Sequence, residues 1–203
     1  MLTVYHVPRT RSVRILWLCE ELGLDYRVVS VDFSPRYRMS PEWLRMNPVG
    51  KVPVLTDNDL TLFESGAIVQ YLLDRYGGGT LQPPAGTPAH ALYLQWSWFA
   101  EATFARPLGE IVNHRRVFPE AEQSRAVVEE MRERARLCIR AVDQAVEGRA
   151  FLLGDDFTAA DIMMGYSLML TDWLVPGDPP DNVARYKEAL FSRPAYRKAV
   201  QTP

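Results

Sequence analysis

The sequence predicts two domains of different class: a small α/β domain with one mixed sheet, then an all-α domain. Three observations lead there. Before Gly77 the chain alternates strand-like and helix-like runs and includes one hairpin. From Gly77 to Pro88 it holds four glycines and three prolines, the composition of a linker. Beyond Pro88 the apolar residues keep helical spacing and no run reads as a strand. The expected boundaries are 1–77 for the α/β domain, 78–88 for the linker and 89–203 for the helical domain. A chain of 203 residues has room for two small cores.

Leu2 to Val7 is strand-like, and Pro8-Arg9-Thr10-Arg11 is a loop. From Ser12 the residues Ile15, Leu16, Leu18, Cys19 and Leu22 keep helical spacing, and Gly23 is the stop. Tyr26 to Val31 is β-branched and aromatic, hence a second strand. Strand, helix, strand at this length is a βαβ unit with a right-handed crossover. A loop with Ser34-Pro35 follows, then a short helix from Pro41 to Met46 with Ser40 as cap and Pro41 at its first position. Val52-Pro53-Val54-Leu55 begins a strand. A proline there lacks a backbone donor, so it belongs at a strand's first residue or an exposed edge, and it is a candidate for a cis bond. Asp57-Asn58-Asp59 turns the chain, and Leu60 to Phe63 returns as the second strand of a hairpin. A helix from Glu64 to Tyr76 buries Ile68, Val69, Tyr71 and Leu72 and stops at Gly77.

In the second half, Ala89 to about His114 is helical and rich in aromatic residues, with a break expected at Pro107. Ala121 to Val146 reads as a second long helix. Phe157-Thr158-Ala159-Ala160-Asp161-Ile162 is a helix start, with Thr158 and Asp161 as a capping box and Phe157 stapled to Ile162. That helix should run through the centre of its domain. Two short helices, Val183 to Leu190 and Pro194 to Val200, end the chain.

Net charge is -2 and the composition is 47% hydrophobic, so no basic surface for nucleic acid or anionic membrane is expected. Cys19 and Cys138 are far apart, form no Cys-x-x-Cys pair and lie among apolar residues, so both read as buried free thiols. That usage, with no leader-like start and no run of transmembrane length, points to the cytoplasm.

The chemistry gathers at Asn47-Pro48-Val49-Gly50-Lys51-Val52-Pro53-Val54-Leu55 and Phe63-Glu64-Ser65-Gly66-Ala67-Ile68. A strand edge at Val52 beside the helix N-terminus at Glu64-Ser65 suits a peptide-like ligand carrying a carboxylate. Taken singly, Glu64-Ser65 is ordinary helix-start chemistry and Pro53 an edge-strand proline. Their joint spacing, with a βαβ start and a helical tail, favours the ligand.

These motifs, with Phe157-Thr158-x-Ala160-Asp161, resemble the cytosolic glutathione transferase family over essentially the whole chain, as a bacterial-type, serine/threonine-loop member. The resemblance implies a thioredoxin-like N-terminal domain, an all-α C-terminal domain and a homodimer in which one protomer's α/β domain meets the partner's helical domain. It implies glutathione as co-substrate, with no other cofactor and no metal. By position, Val52 bonds the cysteinyl backbone, Pro53 is the cis proline, Glu64 and Ser65 hold the γ-glutamyl end, and Lys51 meets the glycine carboxylate. Trp98, Phe104, His114 and Tyr166 either line an apolar co-substrate pocket or pack in the core. Thr158 and Asp161 are structural.

The implied activity is conjugation of the glutathione thiolate to a small apolar electrophile. A free thiol ionises near pH 8.5, so the enzyme must lower that value by hydrogen bonding and a positive field. The loop after the first strand offers Thr10, at the position of the serine-type catalytic hydroxyl. Ser12 is the alternative, though it reads first as a helix N-cap, and Arg11 adds positive charge beside them. Tyr5 and His6 lie in or at the end of the strand and read as packing residues. A glutathione-dependent disulfide or peroxide reductase is the alternative; the loop Pro8 to Ser12 has no cysteine, which counts against cysteine-based redox chemistry. A non-catalytic glutathione-binding protein of the same fold is the third reading.

Overall fold

The computed structural model describes residues 1–203. They form two compact units, one of Met1–Leu81 with Ser192–Pro203 and one of Gln82–Phe191.

The first unit opens with β1 (Leu2–His6), α1 (Val13–Glu21) and β2 (Tyr26–Ser30). Two short helices follow, α2 (Pro35–Arg38) and α3 (Pro41–Met46). Then come β3 (Val54–Asp57), β4 (Leu60–Phe63) and α4 (Ser65–Tyr76). The sheet order is β2-β1-β3-β4, with β1 parallel to β2 and antiparallel to β3. This is the mixed sheet that a βαβ unit followed by a hairpin produces, and the unit is thioredoxin-like. Seven consecutive residues of α1, Val13 to Cys19, are buried, so this helix is core on nearly every side. Helix α2 replaces the expected loop: Ser34 accepts the Tyr37 N–H at 3.3 Å and Pro35 occupies the first turn, the same start that Ser40 and Pro41 give α3. At the hairpin, Asn58 takes φ +52° and Asp57 pairs with Leu60. The buried Asp57 carboxylate accepts hydrogen bonds from the hydroxyls of Tyr76 and Tyr71, which hold it below the ordinary carboxylate range.

The second unit is helical. Helix α5 (Pro88–Trp98) is capped by Thr87, which accepts the His90 N–H at 3.2 Å. A π-helical turn, Phe99–Phe104, leads into α6 (Ala105–Val117). The break expected at Pro107 therefore lies earlier. Pro107 sits in the first turn of α6, and the wider π turn ahead of it accommodates a ring that would meet the carbonyl four residues back in a regular helix. The Ser167 hydroxyl donates to the Ala100 carbonyl within that turn at 3.1 Å. Helix α7 (Arg125–Ala145) starts later than its sequence suggests: Glu120–Glu122 is a 3-10 turn, and Ser124 caps α7 through the Val127 N–H at 3.3 Å.

Helix α8 (Ala159–Leu174) has its first thirteen residues buried and is the core helix of this unit. Its capping box forms: Asp161 accepts the Thr158 N–H at 2.8 Å and the Thr158 hydroxyl at 2.9 Å. Asp161 also accepts the Leu152 N–H at 3.0 Å. From α9 (Asp181–Phe191) the Tyr186 hydroxyl donates to Asp161 at 2.6 Å. Burial pushes the Asp161 carboxyl up while these donors pull it back.

The last helix, α10 (Pro194–Gln201), belongs to the first unit, whereas the sequence assigned all of 89–203 to the helical domain. The cause is specific contact with α1. Tyr196 packs edge-on against Trp17 at 4.9 Å, Arg193 grips Glu21 with two bonds of 2.6 Å, and Lys198 reaches Glu20 at 2.8 Å. Both cysteines are buried free thiols, and burial pushes Cys19 up to about 12 and Cys138 up to about 11, which disfavours the thiolate at either. No helix is long and apolar enough to cross a membrane.

Candidate functional site

The segment 47–53 is shaped by side chain to backbone bonds. Asn47 accepts the Val49 N–H at 3.1 Å and donates to the Lys51 carbonyl at 2.8 Å. Gly50 takes φ +62° and lies so close to α2 that a Cβ there would sit 2.5 Å from the Arg38 carbonyl oxygen; only glycine fits. Arg38 in turn donates to the Gly50 carbonyl at 2.8 Å. Thus Lys51 is exposed on a loop fastened on both sides. The Val52–Pro53 bond is cis. The side chain of Val52 is buried with Trp43 and Val54, while its backbone lies beyond Tyr5↔Val54, the last pair in the β1–β3 register.

Glu64 joins β4 to α4 with φ +72°, a left-handed conformation that a glutamate adopts at a cost of about 1–3 kcal/mol. Its carbonyl accepts the Ile68 N–H at 2.9 Å, so it starts the helix, while its side chain is exposed and does not cap it. Ser65 is buried, and its hydroxyl accepts a bond from Arg14 Nη1 at 3.3 Å. Arg14 is fully buried on α1, which packs against α4. A buried guanidinium beside a helix N-terminus adds positive field where an anion would sit. Sequence reading missed Arg14, because an arginine inside an apolar helical run carries no sign of reaching a residue 51 positions on.

The loop between β1 and α1 brings Thr10 and Ser12 together. Their hydroxyl oxygens are 2.8 Å apart. Thr10 also bonds the Val7 carbonyl at 2.8 Å, and Ser12 lies 2.7 Å from His6 Nδ1. Ser12 occupies the N-cap position with φ -64° and ψ -20°, already helical, and makes no side-chain cap bond. The expected N-cap role is therefore corrected: helical backbone angles turn the hydroxyl back toward the strand, away from its own helix. His6 is fully buried and held below its ordinary value by burial. Its Nε2 meets the Thr202 carbonyl at 3.3 Å. Arg11 is half-buried on the same loop, and Arg9 takes φ +63°.

The residues considered for an apolar pocket fare differently. Phe104 is fully buried in the second unit, and His114 accepts the Ser124 N–H at 2.9 Å, a structural role. Tyr166 is buried on α8 and Trp98 is 66% exposed on α5. The first unit thus holds a fixed backbone edge at Val52, an anion-suited helix start at Glu64-Ser65, and a linked pair of hydroxyls at the start of α1. Such a set can hold an extended peptide by backbone and carboxylate and offer a hydroxyl proton to a developing anion.

The chain is similar to known proteins over most of its length. Residues 1–74 match the family model "Glutathione S-transferase, N-terminal domain". The chain is 31% identical to Glutathione S-transferase 4 of Zea mays, over 93% of this chain and 86% of that protein. It is 28% identical to the disulfide-bond oxidoreductase YfcG of Escherichia coli strain K12, over 80% of this chain and 76% of that one. A glutathione transferase of Burkholderia graminis, solved with two glutathione molecules bound per subunit, superposes with a TM-score of 0.89 at 27% identity. That match covers 100% of this chain and 88% of the other.

Proposed function

The chain belongs to the glutathione transferase family, and on that premise we propose that it binds glutathione on its first unit and conjugates the thiolate to a small apolar electrophile. One observation carries the reading: the fastened Val52 edge and the α4 start, with Ser65 bonded to the buried Arg14, both face-ready for a peptide with a free α-carboxylate. In this reading Val52 bonds the cysteinyl backbone, and Glu64 meets the γ-glutamyl ammonium. Ser65 meets its carboxylate, Lys51 the glycine carboxylate, and Thr10 the sulfur. Arg11 strengthens the field at the sulfur. The protein works as a homodimer through contacts between one protomer's α/β domain and the partner's helical domain. Glu64→Ala should weaken glutathione binding by about 1.5–3 kcal/mol, the scale of a hydrogen bond to a charged group. Unchanged affinity by calorimetry would remove Glu64 from the site.

A second reading, glutathione-dependent disulfide reduction, is supported by the similarity to the Escherichia coli oxidoreductase. The loop Pro8 to Ser12 has no cysteine, so such a reaction would run on glutathione thiols alone. Rates with a panel of electrophiles and mixed disulfides separate the two.

A further inference from the structure

The hydroxyls at the start of α1 do not end at Ser12. Thr10 Oγ1, Ser12 Oγ, His6 Nδ1, His6 Nε2 and the Thr202 carbonyl form one line, with links of 2.8, 2.7 and 3.3 Å between its groups. Its directions can be assigned. A carbonyl only accepts, so His6 Nε2 carries the ring proton and donates to Thr202. Nδ1 then holds a lone pair, and the Ser12 hydroxyl donates to it at 2.7 Å in preference to the Val7 carbonyl at 3.2 Å. Ser12 Oγ is left as an acceptor for the Val7 N–H at 3.3 Å. The Thr10 hydroxyl donates to the Val7 carbonyl at 2.8 Å and has Ser12 Oγ at the same distance, so rotation about its C–O bond turns the proton from Val7 to Ser12. With the Thr10 hydroxyl so turned, exchangeable protons run from the half-buried Thr10 to a buried, neutral base.

We propose that His6 takes up the proton of the glutathione thiol through Thr10 and Ser12. The proposal rests on the glutathione reading above. His6 touches no substrate atom; it is a positioning residue acting through two hydroxyls. In the step, the S–H bond breaks and its proton joins Thr10 Oγ1. The former Thr10 proton moves to Ser12 Oγ, and the former Ser12 proton forms a new bond to His6 Nδ1. Thiolate and imidazolium result, both hydroxyls remain intact, and the proton now on Thr10 points at the sulfur as a hydrogen-bond donor. Nothing is oxidised or reduced.

The surroundings favour this pairing over others. The carboxylates on the elements packed against β1 are engaged: Glu20 with Tyr26 and Lys198, Glu21 with Arg193, and Asp57 with Tyr71 and Tyr76. Of the cations, Arg14 bonds Ser65, Arg27 on β2 is exposed, and Arg9 and Arg11 lie on the loop itself. Burial disfavours an imidazolium at His6 unless a negative charge comes with it, and the thiolate at the far end of the path is that charge.

The test is a proton count on the intact protein. Glutathione binding is followed by calorimetry in buffers of different ionisation heat, and thiolate by ultraviolet absorbance, both at pH 7. Wild type should form thiolate while releasing far less than one proton for each. His6→Asn keeps an acceptor for the Ser12 hydroxyl but no base. It should release a full proton per thiolate and hold about tenfold less thiolate, equivalent to one pKa unit. Ser12→Ala, which cuts the path while keeping His6, should also release a full proton. If wild type releases one proton per thiolate, or His6→Asn keeps the wild-type balance, the relay is wrong although glutathione binds. Absence of binding heat in wild type overturns the glutathione reading itself, and the relay with it.

Discussion

Helices α1 and α8 both begin beside a hydroxyl residue, and the two starts use it in opposite ways. At α8, Thr158 is extended, with φ -130° and ψ 170°, and its N–H and hydroxyl both go to Asp161 in the first turn. Leu152 and Tyr186 complete the Asp161 carboxylate, so the groups there are committed to structure. At α1, Ser12 already has helical angles and caps nothing. Its hydroxyl faces His6 and Thr10, and Thr10 is half-buried. A Ser or Thr before a helix becomes available for chemistry when its own φ and ψ, not its identity, withhold it from the cap.

The largest effect is expected at α8, on loss of its acceptor. Asp161→Ala leaves the N–H groups of Leu152 and Thr158 and the Tyr186 hydroxyl without their partner in a buried site. Each such group costs about 1–3 kcal/mol and the costs are not additive, so the expected destabilisation is at least about 3 kcal/mol in urea unfolding. A loss below about 1 kcal/mol, the scale of a single hydrogen bond, would mean that the cluster is dispensable.

A smaller effect is expected where a threonine hydroxyl is removed at each of the two starts. Thr158→Val removes a capping hydroxyl and should cost about 0.5–2 kcal/mol of stability, with the thiolate absorbance curve of bound glutathione unmoved. Thr10→Ala should cost about 0.5–1.5 kcal/mol, the worth of one partly exposed hydrogen bond, yet shift that curve to higher pH and slow conjugation at nearly unchanged affinity. If Thr158→Val moves the thiolate curve and Thr10→Ala does not, the division of labour is reversed. If Ser12→Ala moves it and Thr10→Ala does not, Ser12 is the hydroxyl at the sulfur.

The same contrast explains what was readable in the chain. The capping box at α8 was legible because its partners stand three residues apart. The hairpin, the βαβ unit and the Asn47 to Leu55 segment were legible for the same reason, since local spacing carries them. The start of α2 was equally local, Ser34 before Pro35, and differs from the α3 start only in its shorter helix. Links across the chain were not legible. Arg14 meets Ser65 51 residues on, and His6 meets Thr202 across 196 residues. Nor does any sequence pattern announce that Glu64 is left-handed or that Ser12 is already helical, because both conformations are imposed by the elements they join. The placement of α10 was not legible for the same reason: its period predicts a helix, but contacts distant in sequence, Arg193–Glu21, Lys198–Glu20 and Trp17–Tyr196, decide which core it joins.

The smallest expected effect is the most specific to α1. His6 is held below its ordinary value by burial, so near pH 6.5 the unfolded chain binds a proton there more readily than the folded one. When the unfolded state binds more protons, stability rises with pH. The contribution of His6 is therefore present above about pH 6.5 and is lost as pH falls from there through the folded-state value. Asp57 is depressed in the same sense, but as a carboxylate it acts below its ordinary value of 3.8, well outside this window. Asp161, raised by burial, acts with the opposite sign, so His6 is read from the difference between proteins. Between pH 7 and pH 5 the urea midpoint should fall more in wild type than in His6→Asn, whatever the variant's absolute stability. Parallel pH profiles for wild type and His6→Asn would show that His6 titrates alike in both states, and α1 would then begin on a network as inert as the one at α8.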